Sequence, residues 1–249
     1  MLANPIQDPV IPRPIKRPAP WWDRYFYFFM ALLITAAVAF GFSHTVRHNL
    51  IDAHPPRPWI LYLHGAVFSG WLAFFILQST LVRVRRVRVH RTIGWFGLVL
   101  GAAIPVLGLA TVFRMVRFNT RVLHEAGAAP FMSIQFNDLI CFAVPFVLAI
   151  LWRKRPEFHR RLILVATCAV ASAGVARIPQ GILPRAGSAY VGVDLLIVLG
   201  IAHDLLATRR VHPVYRIVLP AFMLTQGAAL YLDLCRPTFW MHFVSRFVR

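Results

Sequence analysis

The stretch WILYLHGAVFSGWLAFFILQSTLV, residues 59–82, decides the fold of this 249-residue chain. It contains no Asp, Glu, Lys or Arg, and it is long enough for an α-helix to cross a hydrocarbon core about 30 Å thick. One similar apolar run precedes it, at residues 25–42, and five follow it, at residues 92–116, 131–152, 162–183, 190–207 and 214–234. Together the seven runs predict an all-α, integral membrane bundle of seven transmembrane helices.

The composition agrees with a membrane protein, because 58% of the residues are hydrophobic and only 14% are charged. Three cysteines are too few for a disulfide framework, and 14 glycines are too few for a collagen-like chain. A net charge of +18 is typical of proteins that bind nucleic acid. In this chain, however, the basic residues form short clusters between apolar runs instead of one patch. We therefore expect a lipid bilayer as the partner and no nucleic acid, and we leave open other membrane-protein subunits.

The distribution of basic residues predicts the topology. With the N-terminus in the cytoplasm, 17 of the 27 Lys and Arg fall on inner segments, which indicates a C-terminus outside in a bacterial inner membrane. Residues 1–23 are predicted to form a Pro-rich, basic cytoplasmic tail, and residues 24–234 the seven-helix domain. Residues 235–249 carry aromatic residues at helical spacing, which predicts an interfacial amphipathic helix or, alternatively, a frayed tail.

Polar side chains within apolar runs are the best functional pointers, because burying them in lipid is costly. One predicted layer lies toward the outside and draws on five helices; its members are His64, Asn137, Asp138, Arg177, Gln180, Asp194 and Gln226. We expect Arg177 to be neutralised by Asp138 or Asp194. The layer either fixes the register of the helices or forms a ligand-binding cavity open to the outside.

A second predicted layer, at the cytoplasmic side, contains His90, His159 and His203. Histidines at matched depths on neighbouring helices are what haem b requires, because two imidazoles must reach the iron from opposite faces. These three and His64 are the haem-ligand candidates, with Arg177 as a partner for propionate or acidic groups. The alternative is a set of histidines that face solvent or lipid phosphates.

Two further patterns involve the first two helices. His64, Trp71 and Gln78 are seven residues apart and share one helix face, which suits an aromatic-lined pocket for haem or quinone but also suits ordinary packing. His44 and His48 are spaced i, i+4, and with His54 they predict a site for Zn or Cu; the alternative is a hydrated outer loop.

Several motifs of helices two and three resemble those of an uncharacterised bacterial family of polytopic membrane proteins; the matching residues are His64-Gly65, Trp71, Gln78 and His90-Arg91-x-x-Gly94. The H-R-x-x-G segment is also similar to parts of membrane haem proteins such as cytochrome b561 and haem A synthase. The first resemblance implies a seven-helix membrane protein without a known activity, and the second implies haem. A retinal protein is not expected, because Lys16 and Lys154 lie outside the spans.

The resulting functional hypothesis is a membrane redox protein that uses haem b or a quinone. The alternative is a non-catalytic subunit that binds or transports a small ligand or accompanies a membrane complex. Whether the protein is an enzyme stays open.

Overall fold

The helices agree in number and position with the seven apolar runs. The computed structural model describes residues 21–179 and 187–248, with side chains from residue 24 onward. Within these ranges, seven segments are long and apolar enough to cross a membrane. The helices that form them are α1 (Trp21–Ser43), α2 (Trp59–Arg83), α3 (Val87–Arg121), α4 (Met132–Leu151), α5 (Pro156–Val170) with the short α6 (Ser172–Val175), α7 (Ser188–Thr208) and α8 (Pro213–Cys235). The prediction of an all-α seven-helix bundle is confirmed.

The fifth span is the centre of the bundle. Around it α1, α2, α3, α4, α8 and α7 follow one another as neighbours and close a ring, while α5 contacts α1, α4, α7 and α8. The segment Pro156–Val175 is accordingly the most buried of the seven spans. From Arg161 onward the side chains of α5 are therefore mostly buried, although the sequence at its start is strongly basic.

The third and fifth spans differ most from their predicted bounds. Helix α3 begins at Val87, five residues before the predicted start of the third run, and continues to Arg121, five residues past its predicted end. The fifth span begins earlier than predicted, because Pro156 suits the first turn of a helix and Glu157 interacts favourably with the helix dipole there. Beyond Pro179 the predicted run enters residues 180–186, so Gln180 lies outside the described residues.

Small residues bring α1 and α6 into backbone contact. A Cβ atom added to Gly41 would lie 1.9 Å from the carbonyl oxygen of Gly174, and one added to Gly174 would lie 2.7 Å from the Cα of Val38. Glycine is therefore required on both sides of this contact, and any larger residue forces the helices apart.

The two ends of the bundle differ in charge. We call the end at which α1 begins the basic end; its described Lys and Arg residues are Arg24, Arg83, Arg85, Arg86, Arg88, Arg91, Arg153, Lys154, Arg155, Arg160, Arg161, Arg209, Arg210 and Arg216. We call the opposite end the distal end. There a further helix, α9 (Thr238–Val248), buries Trp240 and Val244 against the extended part of α3, with Arg117 Nε donating to Phe247 O at 2.8 Å. The C-terminal segment is thus helical up to Val248.

Candidate functional site

At the basic end, His159 in the first turn of α5 is held by a backbone carbonyl. Its Nδ1 lies 2.9 Å from the carbonyl oxygen of Ala149 in α4. A carbonyl oxygen only accepts hydrogen bonds, so Nδ1 carries the proton and donates it. In the neutral ring Nε2 then keeps its lone pair, which is available to a ligand or a metal.

Two further side chains at the basic end have unmet hydrogen-bonding capacity. Gln78, in the penultimate turn of α2, is 9% exposed, and neither its Nε2 nor its Oε1 has a hydrogen-bond partner among the described residues. Nδ1 of His90 is also buried, and it has no hydrogen-bond partner within residues 21–179 and 187–248. His90 lies against the backbone of Gln78 and within electrostatic range of His159. We call Gln78, His90 and His159 the basic-end polar site.

Such a group of buried polar atoms is unusual in a folded protein. The great majority of buried polar groups are hydrogen-bonded, and each unmet one costs about 1–3 kcal/mol. A ligand that accepts from the amide of Gln78 and takes the lone pair of His159 satisfies this capacity. Chemically, the site offers two imidazoles for a metal centre, or an amide N–H for a ligand with a carbonyl group.

Trp71 and His203 lie elsewhere in the bundle. The indole Nε1 of Trp71 donates to Thr167 Oγ1 at 3.3 Å, and its ring packs edge-on against Phe142 and Phe146, so Trp71 joins α2 to the central α5. His203 lies against α1, with its ring stacked on Phe26 at a centroid distance of 3.9 Å. His90 therefore lies against Gln78 and within electrostatic range of His159, whereas His203 packs against α1.

A buried ion pair, not predicted from the sequence, lies at the same end. Arg161 is 2% exposed, and its guanidinium binds both carboxylate oxygens of Asp204, with Nη2 to Oδ1 at 2.6 Å and Nε to Oδ2 at 2.9 Å. Arg161 Nη1 also lies 2.6 Å from Oε2 of Glu157, and the backbone N–H of His212 donates to Asp204 at 3.3 Å. The signal was present, because Asp204 is one of only nine acidic residues and follows a candidate histidine. What sequence cannot supply is that α5 and α7 are neighbours.

The distal half contains the predicted outer layer, arranged as separate pairs. Asn137 Nδ2 donates to Tyr190 Oη at 3.1 Å, and Gln226 Nε2 donates to Asp194 Oδ1 at 3.1 Å. Asp138 accepts a hydrogen bond from Ser172 Oγ. These pairs connect α4 to α6 and α7, and α7 to α8.

Arg177 is not part of these pairs. Among the described residues no ion pair joins it to Asp138 or Asp194, so the expected neutralisation is wrong for them. Its guanidinium lies 4.3 Å from the centre of the Phe42 ring and donates to the carbonyl of Ala173, because the chain after α6 is directed toward α1.

His64 lies in the second turn of α2, at the distal end. Its ring stacks on Phe68 at 3.9 Å, and its Nδ1 is buried without a hydrogen-bond partner among the described residues. Fourteen residues of helix, about 21 Å, separate it from Gln78. The common pocket of His64, Trp71 and Gln78 stays a prediction.

The predicted metal site between α1 and α2 does not form. In the described ranges no group of three or more His, Cys, Asp or Glu side chains is placed to hold a metal ion. The i, i+4 pair of His44 and His48 requires a continuous α-helix, but α1 ends at Ser43 and a π-helix follows at Arg47–Ile51. His44 turns back to the carbonyl of Phe40 at 2.8 Å, and His54 lies in the loop before α2.

Comparison of the chain with protein-family models, with curated proteins and with solved structures finds no match.

Proposed function

We propose that the protein is a membrane redox protein that holds haem b at the basic-end polar site, with His90 and His159 as the iron ligands. The observation that carries this proposal is the hydrogen bond from His159 Nδ1 to Ala149 O. A metal-ligating histidine almost always donates its second ring N–H to a carbonyl or carboxylate, which fixes the tautomer and the orientation of the ring. His159 has this arrangement before any ligand is present.

The surrounding residues support the same site. His90 comes from α3 and His159 from the central α5, so the two imidazoles approach from different helices. The basic side chains of the basic end supply positive charge for the propionates, which takes over the role first expected of Arg177. When bound, haem supplies one-electron redox chemistry, and the residues of the chain hold and orient it.

A quinone is the second ligand that suits this site. Gln78 favours it, because a buried amide N–H without partners is able to donate to a quinone carbonyl. Both ligands make the protein a component of membrane electron transfer. We infer that the basic end faces the cytoplasm of a bacterial inner membrane, because Lys and Arg concentrate in cytoplasmic segments.

The test is the absorption spectrum of protein purified in mild detergent from cells supplied with iron and a haem precursor. We expect a Soret band, iron in an amount equal to the protein, and loss of both in His90→Ala and His159→Ala. His242→Ala, which changes an exposed histidine in α9, is the matched control and should keep the band. A colourless, iron-free wild-type protein would rule out haem.

Binding of a quinone is tested by a separate experiment. A ubiquinone or menaquinone analogue titrated into the colourless protein should raise its melting temperature, and Gln78→Leu should abolish that rise. An absent response in the wild type would leave the site without a redox ligand.

A non-catalytic binding or accessory role is the alternative class, and the distal pairs favour it. Asp138 and Asp194 have a hydroxyl and an amide as partners, and no ion pair to either occurs among the described residues. If these pairs only hold helices together, Asp194→Ala will lower the melting temperature. If they bind a cationic ligand, the variant will stay folded and lose the response to that ligand.

A further inference from the structure

A groove at the distal end lies between the first turn of α2 and the outer part of α3. It has a volume of about 360 Å³ and is lined by Trp59, Ile60, Ala110, Phe113, Arg114 and Arg117. Two guanidinium groups, two aromatic rings and an apolar floor therefore meet in one concavity. This composition differs from the interior pairs, because the groove is basic and open.

Among residues 21–179 and 187–248, no acidic side chain forms an ion pair with the arginines of the groove. Arg114 is exposed and makes no hydrogen bond or ion pair with the described residues. Arg117 and Arg121 use Nε to donate to the last carbonyls of α9, at 2.8 Å from Phe247 O and 2.9 Å from Val248 O. The terminal nitrogens of Arg117 stay available to a ligand. Arg114, Arg117 and Arg121 are spaced by three and four residues, so they share one face of α3.

An apolar track leads from the arginines toward the middle of the membrane. Val106, Ala110 and Phe113 are one turn apart on the same face of α3 as Arg117, and Val106 is 72% exposed. Trp59, at the start of α2, is 73% exposed, and amphipathic aromatic rings are enriched at the level of lipid headgroups. The groove thus combines a site for an anion with a surface for an acyl chain.

We propose that this groove binds a phosphate group through Arg114 and Arg117. Planar guanidinium groups bind phosphate oxygens in pairs, which makes phosphate the anion that two adjacent arginines fit best. The phosphate comes from a phospholipid headgroup or from free inorganic phosphate. The apolar track favours the lipid, whose acyl chain lies along Val106, Ala110 and Phe113.

The experiment measures the melting temperature and the bound mass of the intact protein in detergent. The probes are phosphatidylglycerol, diacylglycerol with the same chains, and inorganic phosphate. We expect phosphatidylglycerol to raise the melting temperature and to remain bound in native mass spectrometry, whereas diacylglycerol does neither.

Arg114→Gln should weaken the response to phosphatidylglycerol about tenfold, since it removes one charge-assisted pair. Because the Arg114 side chain makes no hydrogen bond or ion pair with the described residues, this variant should fold like the wild type, and Arg114→Lys should retain part of the response. Arg236→Gln, at the same end but outside the groove, is the matched control.

The outcomes separate the sources of the phosphate. An equal response to inorganic phosphate that Arg114→Gln also weakens assigns the site to the free anion. A wild-type response in Arg114→Gln, or equal responses to phosphatidylglycerol and diacylglycerol, would overturn the proposal.

Discussion

The start of α5 presents two polar regions at the same depth, and they are satisfied to different degrees. Arg161 is bound to both oxygens of Asp204 and to Glu157, and Asp204 accepts a further bond from the backbone of His212. The basic-end polar site includes His159, two residues earlier on the same helix. In that site Nε2 and Oε1 of Gln78 and Nδ1 of His90 have no hydrogen-bond partner in the described chain. The ion pair of Arg161 is therefore complete, whereas three side-chain atoms of the basic-end polar site are unmet.

This difference assigns the two regions different roles. In a medium of low dielectric constant, a fully paired charge has little affinity left for a ligand and mainly fixes the packing of the helices. An unmet polar group has a free energy to gain from any ligand that completes it. We therefore interpret the ion pair as structural and the polar site as functional.

The largest expected effect comes from breaking the ion pair. Asp204→Ala leaves the buried charge of Arg161 with Glu157 alone and should lower the free energy of unfolding by about 3 kcal/mol. Equilibrium unfolding in detergent measures this loss. Glu157→Gln is the control, because Glu157 is 59% exposed and its removal should cost less than about 1 kcal/mol.

A double variant sharpens this prediction. Arg161→Met combined with Asp204→Leu replaces the pair by apolar residues and should recover most of the loss. If Asp204→Ala is as stable as the wild type, the ion pair does not hold α5 to α7, and the first half of the comparison is wrong.

Two buried glutamines provide the second test. Gln78 has no hydrogen-bond partner in the described part of the chain, whereas Gln226, which is 4% exposed, donates to Asp194 at 3.1 Å. Gln78→Leu should raise the stability of the ligand-free protein by about 1 kcal/mol, and Gln226→Leu should lower it by a similar amount. Thermal unfolding of both variants under one condition gives the comparison. Equal losses in the two would show that Gln78 is as well satisfied as Gln226.

The smallest expected effect concerns pH. Burial and the nearby Arg161 guanidinium lower the pKa of His212 below its ordinary value of 6.5. As the pH falls below about 6.5, the unfolded chain takes up a proton there before the folded protein does, so this residue lowers the stability in acid. Above that pH it contributes nothing.

His212→Asn should therefore flatten the decrease of the melting temperature between pH 7 and 5 relative to the wild type. Asparagine is chosen because His212 Nδ1 accepts from the backbone of Val214 at the start of α8, and asparagine is also a good helix N-cap. An unchanged pH profile would mean that His212 ionises alike in both states.

The sequence predicted the helices well because the signal for a transmembrane helix is local. Each apolar run must satisfy its backbone hydrogen bonds within itself, so its length and composition suffice to identify it. The early start of α5 was missed because Arg160 and Arg161 are charged, and hydropathy places such residues outside the span. Arg161 is buried because Asp204, on another helix, compensates it.

The candidate site was predicted in part for the same reason. His90 and His159 were selected by depth, which sequence supplies, and the structure brings them to the same end. Three other outcomes depend on which helices adjoin and where α1 ends. They are the separation of these histidines from His203, the lack of a pair for Arg177 among the described carboxylates, and the loss of the His44–His48 spacing. None of these is a local property of the chain.

The most direct test of the central claim is an experimental density map of the protein purified from membranes in which it was produced with haem and quinone present. We predict non-protein density at the basic-end polar site, within bonding distance of Nε2 of His159 and in contact with Gln78. A map in which Gln78 and His90 bond only to protein side chains, with no density between them and His159, would contradict the claim.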